Sequence, residues 1–121
     1  MPYRISVATI CFNNPEELKR TIAAVDQQQH RPYEHVIIDG STSDAIRNYL
    51  ENTDQPSYRW WVCERDNGIA DAFNKGVHNA SGEVVHLLNS GDYYYDETVL
   101  ERVQAVFDNQ PEVMWTHGQY L

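Results

Sequence analysis

Apolar residues recur along the chain in two alternating patterns. Short runs rich in β-branched and aromatic residues are typical of strands buried on both faces. They predict strands at residues 5–11, 35–39, 58–63, 84–88 and, more weakly, 113–116. Between these runs, apolar residues recur every three to four positions, as on one face of a helix. The alternation predicts an α/β domain, a mostly parallel sheet with helices on both faces and right-handed crossovers.

The first predicted helix has a clear start signal, because Asn14 suits the N-cap and Pro15 the first helical position. A second helix is predicted over residues 43–50, and a fourth is expected to begin at Asp96, a good N-cap. The residues predicted to face inward on the first, third and fourth helices are Leu18, Ile22 and Val25, then Ile69, Phe73 and Val77, then Leu100, Val103 and Phe107.

Polar stretches follow four of the predicted strands directly. They are FNN at 12–14, DGS at 39–41, ERDNG at 64–68 and NSGD at 89–92. In an open parallel sheet, ligands bind beyond the carboxyl ends of the strands. Because three of the four stretches carry a carboxylate, this edge of the sheet is the predicted functional site.

Composition limits the partners that such a site can have. The 121 residues suit one domain, residues 1–121, and carry 18 acidic against 9 basic side chains, a net charge of −9. Nucleic acid and anionic lipid are therefore disfavoured as partners. A phosphate ligand would need local hydrogen-bond donors or a metal ion to offset that charge.

Other sites are excluded or disfavoured by missing motifs. The sequence contains no G-x-G-x-x-G, Walker, H-E-x-x-H or G-x-S-x-G pattern, which disfavours dinucleotide, P-loop, zinc-protease and serine-hydrolase sites. Cys11 and Cys63 each end an apolar run and are expected to be reduced, buried thiols. With no signal-like start and no apolar run of membrane-spanning length, we expect a cytoplasmic chain.

Each candidate carboxylate also has an ordinary structural interpretation. Asp39 could make local turn bonds or accept a bond from a ligand, and Asp71 could simply favour a helix start. Asp92 could be a turn residue or a ligand of a hard divalent cation, which takes oxygen from one or two carboxylates plus phosphates and water. The tyrosines at 93–95 could pack on the sheet end or line a sugar pocket.

Three stretches, taken in order, resemble the N-terminal half of inverting family 2 glycosyltransferases of the GT-A fold. They are ISVATICFNNPEELKRTIAAVDQQ, HVIIDGSTSD and DNGIADAFNKGVHNASGEVVHLLNSGD. The resemblance implies that Asp39 reads the nucleotide base and that Asn13, Asn67 and Asp71 lie near the nucleotide-sugar. It also implies that residues 89–92 hold ribose and metal-bound diphosphate in place of the family's D-x-D motif.

Two departures from the family pattern change these expectations. Ile10-Cys11 stands where the family often has Pro-Thr, so Cys11 is expected to contact the donor only through its backbone. Asn89 replaces the first acid of D-x-D. Asn89 can still offer a neutral oxygen, but Asp92 is left as the predicted carboxylate ligand of Mn²⁺ or Mg²⁺.

The resemblance implies inverting transfer of a sugar, from a UDP-sugar in the first instance, to a saccharide or lipid-linked saccharide acceptor. Bacterial surface polysaccharide synthesis is the expected setting, in the cytoplasm or at the inner face of the membrane. The family's general base lies in the second half of its domain, so no catalytic residue is assigned and the chain is expected to be the N-terminal part of a longer catalytic domain.

A non-catalytic nucleotide-binding or scaffold domain is the alternative, because Asn89 weakens the metal site and no base is found. A response-regulator-like domain is disfavoured, since no acidic pair follows the first strand. A truncated sheet would expose apolar surface, which predicts self-association into a homo-oligomer.

Overall fold

The computed structural model describes residues 3–117, in which strands and helices alternate as the sequence pattern predicts. The strands are β1 Ile5–Cys11, β2 Glu34–Asp39, β3 Arg59–Cys63 and β4 Val84–Leu87. The helices are α1 Pro15–Asp26, α2 Ala45–Glu51, α3 Ile69–Asn79 and α4 Val99–Asn109. Helix α1 begins where expected, and the Asn14 Oδ1 atom caps it by accepting a 3.1 Å hydrogen bond from the Glu17 N–H.

The four strands form one parallel sheet in the order β3-β2-β1-β4. The chain builds outward from β1 to β3, then crosses back to place β4 on the other side of β1. The direction of winding therefore reverses between β1 and β4. In open α/β sheets, the crevice at the carboxyl ends of such a pair is where ligands bind.

Helices cover both faces of the sheet, as predicted. On one face, α1, α2 and α4 bury apolar side chains against alternate residues of β1 and β2, including Val7 and Ile37. On the other, α3 packs Ala72 against Val36 and Ile38. No helix within residues 3–117 has the length and apolar character needed to cross a bilayer.

One predicted strand and one predicted helix start are wrong. Residues 113–116 form no strand: the Val113 N–H closes a turn onto Gln110, and Met114 is almost fully exposed, so this apolar run pairs with no strand of residues 3–117. Helix α4 begins at Val99 rather than at Asp96, because the Asp96 carboxylate accepts from the Thr98 N–H and hydroxyl two residues further on, which makes Thr98 the N-cap.

The buried face of α3 also differs from the predicted one. Ile69 and Val77 are exposed, and Ala72 and Gly76 face the sheet instead. A Cβ added at Gly76 would lie 3.2 Å from the Ala8 Cβ. The helix packs too closely on β1 for large side chains at the contact, so its smallest residues line it.

A buried polar network joins α1 to β2 and β3. The His35 ring is fully buried and lies between the Thr9 hydroxyl, 2.8 Å from Nε2, and Arg59, whose Nε–H donates to Nδ1 at 3.0 Å. Arg59 also pairs with Asp26 at the end of α1. Burial first, and then the nearby Arg59 charge, lower the pKa of His35 to about 3, so the ring is neutral and donates from Nε2 to Thr9.

Candidate functional site

Four loops converge at the carboxyl edge of the sheet. They follow β1, β2, β3 and β4 and span residues 12–14, 40–44, 64–68 and 88–98. Strands β2 and β4 each lie beside β1, which puts their ends about 10 Å apart. Asp39 at the end of β2 and Asp92 beyond β4 therefore lie on the same edge, on either side of β1.

Asp39 is held in place by its own loop and is only 4% exposed. Its Oδ1 accepts from the Ser41 N–H at 3.0 Å. Burial raises the pKa of the Cys63 thiol, and the nearby Asp39 carboxylate adds to that rise against the opposing effect of Arg47. Asp39 borders a cavity of about 150 Å³ that Arg47 and Arg65 also line, so a ligand in the cavity can reach the carboxylate.

Asn13 fastens the loop after β1 to the loop after β2. Its φ of 56° is in the left-handed region, which asparagine tolerates better than most residues. Its N–H donates to the Ser41 hydroxyl at 2.7 Å, and its Oδ1 accepts from the N–H groups of Thr42 and Ser43 at 2.9 and 3.2 Å. The Asn13 amide therefore shapes the loop that carries Asp39.

The loops after β2 and β3 meet at Gly40 and Asp66. A Cβ added at Gly40 would lie 1.9 Å from the Asp66 Oδ2 atom, so only glycine fits there without displacing the carboxylate. Asp66 Oδ1 accepts from the Gly68 N–H at 3.0 Å. The sequence does not point to Asp66 as a site residue, although it lies in one of the acidic stretches that follow the strands. Only the folded structure brings it against Gly40.

Asn67 and Asp71 organise the start of α3. The Asn67 N–H donates to Asp71 Oδ2 at 2.9 Å, and Lys75 lies 3.5 Å from the same oxygen. The Asn67 N–H bond, followed by the Lys75 charge, lowers the pKa of Asp71 despite an opposing desolvation effect. The Asn67 side chain is exposed and makes no hydrogen bond within residues 3–117.

Cys11 reaches the edge through its backbone alone. Its carbonyl accepts from the Gly40 N–H at 3.1 Å, whereas its thiol packs in the core beside Leu18 and Ile37. Burial raises the pKa of this thiol, followed by the neighbouring negative charge of Asp39. The side chain is therefore an inert part of the core.

The turn after β4 is clamped by α1. Ser90 extends the ladder through its N–H to the Ile10 carbonyl at 3.0 Å, and Gly91 then turns the chain with a φ of 97°. The buried Thr21 hydroxyl accepts from the Gly91 N–H at 2.8 Å and donates to the Asp92 carbonyl at 2.7 Å. Thr21 fixes the backbone that carries Asp92.

The side chains of this turn are left uncommitted. Within residues 3–117, neither the Asp92 carboxylate nor the Asn89 side chain makes a hydrogen bond or ion pair, and the Ser90 hydroxyl is buried without a partner. No cluster of three His, Cys, Asp or Glu side chains in that part of the chain could hold a metal alone. This donor set fits a hard cation that takes one carboxylate from the protein and the rest from phosphate and water.

The three tyrosines after Asp92 alternate in direction. Tyr94 is half-buried, with its hydroxyl 2.9 Å from the Nδ1 atom of His86 on β4. Burial raises the pKa of Tyr94 and lowers that of His86. Tyr93 and Tyr95 point outward and are 72% and 75% exposed.

Comparison with solved structures identifies the architecture as the GT-A glycosyltransferase fold. A Pyrobaculum calidifontis mannosyltransferase, in complex with GDP-Man and Mn²⁺, superposes with a TM-score of 0.71 at 22% identity, over 88% of this chain and 32% of that one. Staphylococcus aureus TarS 1-349, in complex with UDP-GlcNAc, gives 0.73 at 19% identity, over 89% of this chain and 32% of that one.

The sequence relatives are glycosyltransferases. An uncharacterized glycosyltransferase of Mycobacterium tuberculosis is 35% identical over 94% of this chain, and a putative teichuronic acid biosynthesis glycosyltransferase of Bacillus subtilis is 26% identical over 86%. The matches span 44% and 42% of those relatives, so the chain corresponds to less than half of their length. A model of glycosyl transferase family 2 matches residues 6–119, and the chain belongs to that family.

Proposed function

We propose that the protein takes part in moving a sugar from a nucleoside diphosphate donor, a UDP-sugar, to a hydroxyl group of an acceptor with inversion at the anomeric carbon. Membership of a glycosyltransferase family supports the transfer. TarS in its UDP-GlcNAc complex and the mannosyltransferase in its GDP-Man complex have the same fold, which supports a nucleotide-sugar donor.

The position of Asp39 and Asp92 on either side of β1 is the observation that carries the proposal. Their strands end about 10 Å apart, a separation that a nucleoside diphosphate can span with its base at one end and its phosphates at the other. Asp39 would accept hydrogen bonds from the base at its cavity. Asp92 and the amide oxygen of Asn89 would face the ribose and the diphosphate.

A divalent cation, Mn²⁺ or Mg²⁺, completes the proposal at Asp92. Bound there with a diphosphate, such an ion supplies Lewis-acid stabilisation of the leaving group. It also offsets the net charge of −9, which would otherwise oppose phosphate binding. Asp92 supplies the carboxylate ligand, and Thr21 keeps the Asp92 backbone in position.

The other predicted donor contacts have supporting roles in this proposal. Asn13 and the Cys11 carbonyl fix the loop that presents Asp39. Asn67 offers an uncommitted side chain at the start of α3, and Asp71 shapes that turn through its bond from the Asn67 N–H. None of residues 3–117 is assigned as the general base that takes the proton of the acceptor hydroxyl.

The biological setting is also a proposal. A relative named for teichuronic acid biosynthesis supports a role in bacterial surface polysaccharide synthesis. The acceptor is then a saccharide or lipid-linked saccharide, with the protein in the cytoplasm or at the inner face of the membrane. Because the chain spans 44% of its Mycobacterium tuberculosis relative, these statements concern the activity of the whole protein.

A non-catalytic nucleotide-binding domain is the second candidate. Asn89 stands where the family pattern has an acid, and residues 3–117 contain no cluster of metal ligands. Such a domain would bind nucleotides equally well with and without a metal ion, and it would not consume a donor sugar.

Melting scans with UDP, GDP and a panel of UDP-sugars, each with and without Mn²⁺, test the proposal. A ligand that binds only the folded state raises the melting temperature, by an amount set by its concentration relative to Kd. We expect UDP and at least one UDP-sugar to raise it more with Mn²⁺ than without. Equal shifts in both conditions support the non-catalytic domain, and no shift with any nucleotide contradicts both functions.

A further inference from the structure

A second cavity lies beside the nucleotide edge, between the outer side of α1 and residues 93–97. It has a volume of about 740 Å³, which is within the range of about 300–1,000 Å³ of small-molecule sites. Arg20 and Gln27 line one wall, and Tyr93, Tyr95 and Glu97 line the other. Tyr93 directly follows Asp92, so the cleft begins beside the carboxylate assigned to the diphosphate.

The walls of this cleft are fixed to each other. The buried Gln28 side chain donates from Nε2 to the Asp96 carbonyl at 2.6 Å and accepts at Oε1 from the Leu100 N–H at 3.0 Å. The Gln29 N–H donates to the Glu97 carbonyl at 2.9 Å. These bonds hold the loop against α1, so a ligand enters a cleft that is already formed.

The side chains that face the cleft are free to bind a ligand. Within residues 3–117, the side chains of Arg20, Gln27, Tyr93, Tyr95 and Glu97 make no hydrogen bond, ion pair or ring contact. They supply both donors and acceptors. The two tyrosine rings add apolar surface that is 72% and 75% exposed, and Ala23 and Ala24 keep the α1 wall shallow between the polar groups.

This combination matches the surface of a sugar better than that of other ligands. A sugar ring presents neighbouring hydroxyls, which both donate and accept, together with a C–H face that packs on an aromatic ring. A polyanion would be repelled by a protein with a net charge of −9. Arg20 and Gln27 are separated by about 10 Å along the helix, which leaves room for a disaccharide.

We propose that this cleft binds a saccharide, with Tyr93 and Tyr95 as the stacking surface and Arg20, Gln27 and Glu97 as hydroxyl partners. That the saccharide is the acceptor rests on the proposed function. An acceptor chain lying along α1 has its end beside Asp92, next to the diphosphate of the proposed donor.

The test measures the binding of maltose, cellobiose and diacetylchitobiose to the protein by ligand-observed NMR and calorimetry. We expect at least one of them to bind, and Tyr93→Ala combined with Tyr95→Ala to weaken that binding at least fivefold. Arg20→Ala should weaken it in the same direction. Tyr33→Ala removes an exposed tyrosine outside the cleft and is the matched control, which should leave the affinity unchanged.

Binding of UDP with Mn²⁺, measured on the same variants, separates this inference from the proposed function. Loss of saccharide binding in the tyrosine double variant, with UDP binding retained, supports the cleft as a saccharide site. If the protein does not bind UDP but binds a saccharide in a way that depends on Tyr93 and Tyr95, the proposed transfer reaction is contradicted. The cleft is then still supported as a saccharide site. Unchanged saccharide affinity in the tyrosine double variant, or no binding of any disaccharide to the wild-type protein, overturns the inference.

Discussion

The hydroxyl of Thr21 donates a 2.7 Å hydrogen bond to the carbonyl of Asp92, 71 positions along the chain. The same oxygen accepts from the N–H of Gly91 at 2.8 Å. One side chain on the buried face of α1 therefore satisfies both backbone groups of the turn after β4. The position of the Asp92 carboxylate therefore depends on a residue that has no ionisable group and is not among the predicted site residues.

Replacing Thr21 with valine should weaken metal-dependent nucleotide binding. The variant keeps the shape of the side chain but leaves the Gly91 N–H and the Asp92 carbonyl without their partner, at a cost in stability of about 1–3 kcal/mol. We expect UDP affinity in Mn²⁺ to fall about tenfold, equivalent to about 1.4 kcal/mol. Calorimetric titration measures the UDP affinity of the variant with Mn²⁺ and with EDTA.

Thr21→Ser is the matched control for that variant. It retains the hydroxyl and loses only a methyl group, so its metal-dependent UDP binding should be close to that of the wild type. If serine reduces binding and valine does not, packing of the methyl group rather than the hydrogen bonds positions Asp92.

Replacing Gly40 with alanine should disturb the loop beside Asp39. The new Cβ would lie 1.9 Å from Asp66 Oδ2, so the carboxylate must move and release the Gly68 N–H. We expect a loss of about 1 kcal/mol in the free energy of unfolding, measured by urea denaturation, together with weaker binding of UDP in the absence of metal.

A double variant tests the cause of that loss. Adding Asp66→Gly to Gly40→Ala removes the clash, so the two changes together should cost less than the sum of their separate effects. Additive losses would mean that Gly40 is needed for some reason other than contact with Asp66.

The strands and helices can be predicted from the sequence, whereas the hydrogen bonds that hold the candidate site in place cannot. Continuous apolar runs predict the four strands, and Asn14-Pro15 predicts the start of α1, because these signals depend on neighbouring residues. The fifth run, residues 113–116, has the same composition but no adjacent strand within the described chain. Whether an apolar run forms a strand depends on its pairing partner, which composition does not specify.

The candidate site was predictable only where it follows strand ends. Asp39 ends one apolar run and Asp92 lies in the polar stretch after another, so the position of the carboxyl edge located them. Thr21 lies on the buried face of α1 and Gln28 is buried just after its end, and nothing in their local sequence shows that they bond to residues about 70 positions away. A polar residue on an otherwise apolar helical face is the one signal that could have drawn attention to Thr21.

Stability should fall as the pH drops below the ordinary pKa of histidine. His35 has a folded-state pKa of about 3, so below about pH 6.5 the unfolded chain binds a proton that the folded chain does not. The contribution of His35 to the free energy of unfolding is complete above pH 6.5 and is lost as the pH falls towards 3. Between pH 7.5 and 5.0, His35 alone should lower the free energy of unfolding by about 2 kcal/mol.

Urea denaturation at these two pH values measures the change, and NMR of the His35 imidazole assigns it. The ring signals should stay those of a neutral imidazole at pH 5.0. Burial also lowers the pKa of His86, which shifts stability in the same direction. A His35 ring that titrates with a midpoint above pH 5 contradicts the neutral hydrogen-bonded network with Thr9 and Arg59.

Self-association should involve the sheet edge at β4. Strand β4 pairs only with β1 within the described chain, and its Leu87 side chain is 44% exposed. An open, partly apolar edge favours pairing with a second copy. Sedimentation velocity should show a concentration-dependent dimer, and Leu87→Lys should reduce the amount of dimer. Such contacts form at micromolar to millimolar protein concentrations, so a wild-type chain that stays monomeric up to about 100 μM contradicts this prediction.

The most direct test of the account is calorimetric titration of UDP into the wild-type protein and Asp92→Asn, each with Mn²⁺ and with EDTA. Asp54→Asn, an exposed change near the opposite end of the sheet, is the control. We predict that Mn²⁺ increases UDP affinity at least tenfold in the wild type and in Asp54→Asn and has no effect in Asp92→Asn, whose metal-free affinity is unchanged. An equal increase in all three proteins would contradict a metal-bridged diphosphate at Asp92.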